Sequence, residues 1–156
     1  MEQLKLIALD AEDLEVISAH LQDAVVRVGD MTYLPREQRF AMILNRFNWE
    51  LALEPKPRRQ HLTFERRRAG LHFDRVRAVK TRKLDCRARN AVVSLLAIRF
   101  DETDPPAGYI ELLFAGDATI RLDVECIEAA LSDLGAAWAT SAQPAHELDA
   151  ERPTEA

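Results

Sequence analysis

The sequence predicts a single α+β domain: a mostly antiparallel, bent sheet or partly closed barrel of six to seven strands, with an N-terminal and a C-terminal helix. Three observations carry this prediction. The chain has 156 residues, enough to bury roughly two thirds of its surface around one core without disulfides or metal. Its middle is a series of short runs rich in β-branched and aromatic residues, broken by Gly-Asp and proline turns. At either end of that region, apolar residues recur at helical spacing.

At the N-terminus, Leu14, Ile17, Leu21 and Ala24 share a helical face, and residues 11–22 are expected to be a helix. Asp10 is placed to accept the free amide hydrogens of the first turn, with Leu9 and Leu14 at the positions of a hydrophobic staple. Glu12 and Asp13 favour the positive end of its dipole. AVVRV and MTYL, on either side of Gly29-Asp30, read as strands, and Leu34 to Gln38 as the turn into a further strand, RFAMILNRF. Pro55 and Pro57 make residues 54–60 a loop. Leu71 and Phe73 alternate, then the phase changes to Val76 and Val79, so a bulge or turn is expected near Asp74.

Residues 91–100, AVVSLLAIRF, are apolar on both faces, the mark of a central strand. YIELLFA and TIRLDV form a hairpin closed at Gly116-Asp117. VECIEAALSDL places Ile127, Ala130, Leu131 and Leu134 on one helical face, with Asp123 as N-cap and Gly135 as C-cap. Beyond Trp138 small and acidic residues dominate, so the domain is expected over residues 1–138 and a disordered acidic tail over 139–156.

The stretches LKLIALDAEDLEVISAHLQDAVVRVGDMTYLPREQRFAMILNRFNWE and IRLDVECIEAALSDLG resemble the signature segments of an uncharacterised, mainly alphaproteobacterial domain family of unknown function, over about residues 4–138. That resemblance implies no catalytic residue. The phrase L-x-F-x-x-V-x-x-V (Leu71, Phe73, Val76, Val79) within a strand meander is similar to pleckstrin-homology-like barrels. This second resemblance implies that the final helix plugs one open end of the barrel, with Ile127, Leu131 and Leu134 facing the sheet.

The charge is unevenly spread. From Lys56 to Arg89 there are thirteen basic and three acidic side chains, a net charge of +10 that leaves −15 on the rest of a chain whose total is −5. Clustered guanidinium groups bind phosphate and carboxylate bidentately. The candidate anion-binding residues are therefore Arg66, Arg67, Arg68, Arg75, Arg77, Lys80, Arg82 and Lys83, with His61, Phe64, His72 and Phe73 placed among them for stacking on bases. The partner would be a nucleic acid, another polyanion or an acidic protein. The competing reading is a solvated edge ribbon, or one paired with the chain's own acids. An alternative function, protein interaction or homo-oligomerisation, falls on the aromatic hairpin from Tyr33 to Trp49.

The motifs point away from several chemistries. Cys86 and Cys126 are far apart, without a C-x-x-C, and His20, His61, His72 and His146 occupy four separate contexts, so no metal site or disulfide is expected. Cys86, beside Arg87, is the thiol with the most activating neighbours. With five glycines and neither a phosphate loop nor G-x-S-x-G, the chain offers no cofactor motif and no catalytic residue, which favours a binding module and leaves an enzyme with an unrecognised site as the second alternative. No run of about 18 apolar residues occurs, and acids stand where a secretory signal needs bases, so a cytoplasmic location is expected.

Overall fold

A computed structural model describes residues 3–47, 64–135 and 138–140, with the backbone alone at 64, 65 and 138–140. The elements run β1 (Lys5–Ala8), α1 (Ala11–His20), β2 (Ala24–Leu34), β3 (Arg39–Phe47), β4 (Phe64–Phe73), β5 (Val76–Arg82), β6 (Val92–Glu102), β7 (Gly108–Phe114), β8 (Thr119–Val124), β9 (Ala129–Asp133) and β10 (Trp138–Thr140). The strands form one antiparallel sheet in the order β1-β9-β4-β3-β2-β6-β7-β8-β5, with β10 continuing along β4. It is not closed: β1 and β5 are the two ends of the order.

The chain geometry dictates how strongly this sheet bends. β4 is third in the order and β5 ninth, yet only Asp74 and Arg75 separate them. Six strand spacings of about 4.8 Å span about 29 Å in a flat sheet, whereas the three Cα steps from Phe73 to Val76 reach at most about 11 Å. The sheet must curl back on itself. Three backbone bonds hold the crossing: Asp74 N–H to the Glu128 carbonyl at 2.8 Å, Val76 N–H to Gln38 at 2.9 Å and Glu125 N–H to Arg75 at 3.0 Å. Inside the curl, Leu44, Leu71, Phe73, Leu95, Leu112, Phe114 and Leu122 join one core.

Helix α1 forms as expected at its start, where the Asp10 carboxylate accepts from Asp13 N–H at 2.8 Å and Leu14 and Ile17 are buried. Its Ser18 hydroxyl accepts from Ile98 N–H at 2.9 Å, tying it to β6. It ends at His20 rather than 22, and Ala24 belongs to β2. Leu9 is 66% exposed, so the expected staple with Leu14 is not made. AVVRV and MTYL are one strand, with a pairing irregularity between Val26 and Met31, a span that includes Gly29-Asp30. Gly116 and Asp117 both take positive φ (80° and 66°), closing the β7–β8 hairpin at the expected place.

Two expectations are corrected. There are ten strands among the described residues, not six or seven, the extra ones including the short β1 and β10. The segment expected to be a C-terminal helix holds strand β9, so α1 is the one helix longer than a turn among the described residues, and that segment does not plug a barrel end as a helix. Residues 127–134 fit both periods. The alternating set Ile127, Ala129, Leu131 and Asp133 is the one buried, because β9 is paired on both sides, with β1 and with β4. Asp123 is therefore a β8 residue and not an N-cap, while Gly135, at φ 82°, follows a strand. Residues 141–156 of the expected tail and the 54–60 loop lie outside the described residues.

The β6–β7 hairpin depends on one glycine. A Cβ on Gly108 would stand 2.6 Å from the Asp101 carbonyl oxygen and 2.7 Å from the Phe100 ring. Gly108→Ala is expected to cost about 1–3 kcal/mol as overpacking, read from urea denaturation; no change in midpoint would mean that the ring does not cover this backbone.

Candidate functional site

The eight basic residues singled out in the sequence do not form one ribbon. β4 and β5 lie far apart in the strand order, and the alternation of each strand divides its residues again. On β4, Ala69, Leu71 and Phe73 face the core, and Arg67 shares their phase. It is buried with its guanidinium 3.8 Å from the Asp133 carboxylate. Arg46 on β3, register partner of Arg67, makes a fork to the same carboxylate at 2.9 and 3.0 Å, and Leu4 N–H donates to it at 2.7 Å. Burial alone would raise the pKa of Asp133. The Arg46 bonds, the Leu4 amide and the two guanidinium charges outweigh it and hold the carboxyl below its ordinary range.

Arg66 and Arg68 take the other phase of β4, on the outer face of the sheet opposite Phe47 and Asn45. Arg66 is nevertheless only 9% exposed, and burial lowers its pKa, with Asp23 opposing. In the β4–β5 crossing Arg75 pairs with Glu128 at 3.3 Å, and on β5 Arg77 pairs with Asp123 at 2.9 Å, both at the surface.

The remaining three residues are on or next to strand β5. β5 pairs with β8 on one side and ends the sheet on the other. Val76 and Val79 turn to the core, while Lys80 and Arg82 point outward and are exposed. Lys80 stands opposite Arg121 on β8, an arrangement of like charges that is unfavourable unless one is neutralised. Arg121 is so neutralised. It donates to Glu111 at 2.9 and 3.2 Å, which raises its pKa, and lies 4.6 Å over the Tyr109 ring. Arg99 on β6 reaches the same Glu111 at 3.6 Å. Across four neighbouring strands the aligned row is Arg99, Glu111, Arg121, Lys80: three cations and one carboxylate.

Arg82 and Lys83 flank a surface hollow of about 440 Å³ floored by Leu96, Leu113 and Phe114. Lys83 reaches Asp117 only at 3.9 Å, with both side chains largely in solvent, where such a pair contributes little. Sequence reading missed Arg99 and Arg121 because the strand register, and not their place in the chain, brings them beside Lys80.

A family model described as a protein of unknown function, DUF2948, matches residues 4–146. The chain belongs to this family. DUF2948 carries no assigned activity, so no residue role passes from it to the positions described above. No curated protein and no solved structure matches the chain.

Of the other sequence candidates, Tyr33 is half-buried against the core and donates its hydroxyl to the Val76 carbonyl at 3.0 Å. Trp49, its partner in the aromatic hairpin, lies outside the described residues, as do His61 and His146. His72 Nδ1 is 3.4 Å from Asp74, and His20 Nδ1 is 3.0 Å from the Val16 carbonyl. Cys86 is an exposed free thiol, and Cys126 is free and half-buried. Among the described residues no three His, Cys, Asp or Glu side chains converge as metal ligands, and no helix is long and apolar enough to cross a membrane.

Proposed function

We propose that this domain is a non-enzymatic binding module whose cationic edge, formed by Lys80, Arg82 and Lys83 with Arg121 beside them, meets an anionic partner. One observation carries the reading: Lys80 and Arg82 are exposed on a sheet-end strand, and neither has a carboxylate within 4.0 Å among the described residues, although neighbouring Arg75, Arg77 and Arg121 all do. Among the described residues no strand pairs with the other side of β5, beside these cations. An extended acidic protein segment suits such an edge, since it can add main-chain bonds while its carboxylates meet the side chains.

The test is fluorescence anisotropy of a labelled Asp/Glu-rich peptide, with single-stranded RNA and DNA in parallel, from about 50 to 200 mM salt. The peptide is expected to bind, and Lys80→Gln/Arg82→Gln/Lys83→Gln to weaken it roughly tenfold or more and flatten the salt dependence. Because these are surface positions, stability should stay within about 0.5 kcal/mol. Unchanged affinity in the triple variant, or no binding at the lowest salt, overturns the proposal. Tighter binding of nucleic acid than of peptide keeps the cationic edge but replaces the partner.

A further inference from the structure

The outer face of β3 and β4 holds a second set of cations that the β5 edge does not use. Arg66 makes one side-chain hydrogen bond among the described residues, to the Asn45 carbonyl at a long 3.4 Å, and lies 5.7 Å over the Phe47 ring. Its Nε is enclosed without a hydrogen-bond partner among the described residues, and so is the side-chain oxygen of Asn45 next to it. Two positions along the same face, Arg68 is half-buried and stands opposite Asn45. Neither Arg66 nor Arg68 has a carboxylate within 4.0 Å among the described residues. Asp30, an acid on this rim, is already held by Arg27 at 3.0 Å. Asp23 acts on Arg66 from more than 4.0 Å away and does not offset its burial; enclosing a guanidinium without a carboxylate in contact is costly, and an anion supplied from outside reduces that cost.

The surface beside Arg68 is concave and turns apolar away from it. Arg68 and Asn45 line a small depression of about 60 Å³ that shares Ile43 and Asp30 with an open groove of about 340 Å³. The groove is shaped by small residues on neighbouring strands, Ala41, Gly70 and Ser132, between the larger Ile43 and Leu134. Ile43 and Leu134 are exposed apolar side chains, 38% and 41%. Arg68 in the depression at one end, with Arg66 two positions along the same face of β4, and an apolar groove leading away match a molecule with an anionic head and an apolar body.

We propose that this face binds a small amphipathic organic anion, a carboxylate or phosphate monoester on an apolar chain. Its head sits at Arg68 and Arg66, and its body lies over Ile43, Gly70 and Leu134. The site is separate from the β5 edge, so either can fail alone.

The experiment is isothermal titration and backbone amide NMR of the full chain with four probes: octanoate, octyl phosphate, octanol and inorganic phosphate. Octanoate or octyl phosphate is expected to bind saturably, shifting the amides of Asn45, Arg68 and Gly70, at least roughly tenfold tighter than octanol or phosphate alone. Arg68→Gln should lose that advantage over octanol. Ala41→Leu, which raises the groove floor without touching a charge, should weaken octanoate by a similar factor and leave phosphate unchanged. Octanol binding as tightly as octanoate, an unaffected Arg68→Gln variant, or no saturable binding overturns the proposal. Binding to phosphatidylglycerol vesicles without binding to either free anion also overturns it, by moving the same head-group chemistry to a membrane surface.

Discussion

Asp133→Asn is expected to destabilise the fold by about 3–5 kcal/mol, because it leaves the buried Arg46 guanidinium without its carboxylate and takes a counter-charge from Arg67. For a chain of this length that is a fall in Tm of roughly 6–20 °C. The acid limb of stability adds a second readout. The Asp133 pKa is depressed in the fold, so its contribution is complete above the unfolded value near 4 and is lost as pH falls through the lower, folded value. Wild type should therefore lose stability on acidification through that range, and the variant should lack that part of the slope. A loss below about 1 kcal/mol in chemical denaturation at neutral pH would mean that this ion cluster is solvated. Combining Arg46→Met with Asp133→Asn removes one of the stranded charges and should recover part of the loss.

Phe73→Ala is expected to cost about 3–5 kcal/mol, the range for deleting a fully enclosed aromatic ring. Phe73 ends β4, pairs with Phe40 on one side and Ala129 on the other, and has no exposed surface. It is also the last residue before the two-residue crossing to β5. Collapse around the missing ring is restrained there, since the crossing backbone is bonded to Gln38 and Glu128. The check is the urea midpoint with the slope unchanged. A cost below about 1 kcal/mol would show that the curled sheet does not close over this position.

Much of the sheet was legible from alternation alone. RFAMILNRF and TIRLDV coincide with β3 and β8 because each switches cleanly between core and surface and is flanked by turn residues. β9 was not, since its alanines satisfy a helical period as well as an alternating one, and only its pairing with β1 and β4 decides between them. β1 is four residues long, too short for any period to declare itself. The buried ion cluster could have been found. Arg46 continues the inward phase of Phe40, Met42 and Leu44, Arg67 that of Phe73, Leu71 and Ala69, and Asp133 that of Leu131 and Ala129. Reading Arg66, Arg67 and Arg68 as one patch ignored that three successive strand residues cannot share a face. The row through Arg99, Glu111, Arg121 and Lys80 was out of reach, because it depends on the register of three strand pairs.

The position of β1 sets the order in which the protein can assemble on the ribosome. β1 leaves the exit tunnel ahead of the other strands, but its strand partner among the described residues is β9, whose residues follow about 125 positions later. At roughly 5–20 residues per second, β1 waits about 6–25 s, and the edge of β4 that β9 covers about 3–12 s, for that segment to emerge. During that interval the growing chain presents unpaired strand to its surroundings, the condition under which chaperones engage and neighbouring chains misassociate. Most of this sheet's contacts also join distant parts of the chain, which places refolding among the slow topologies.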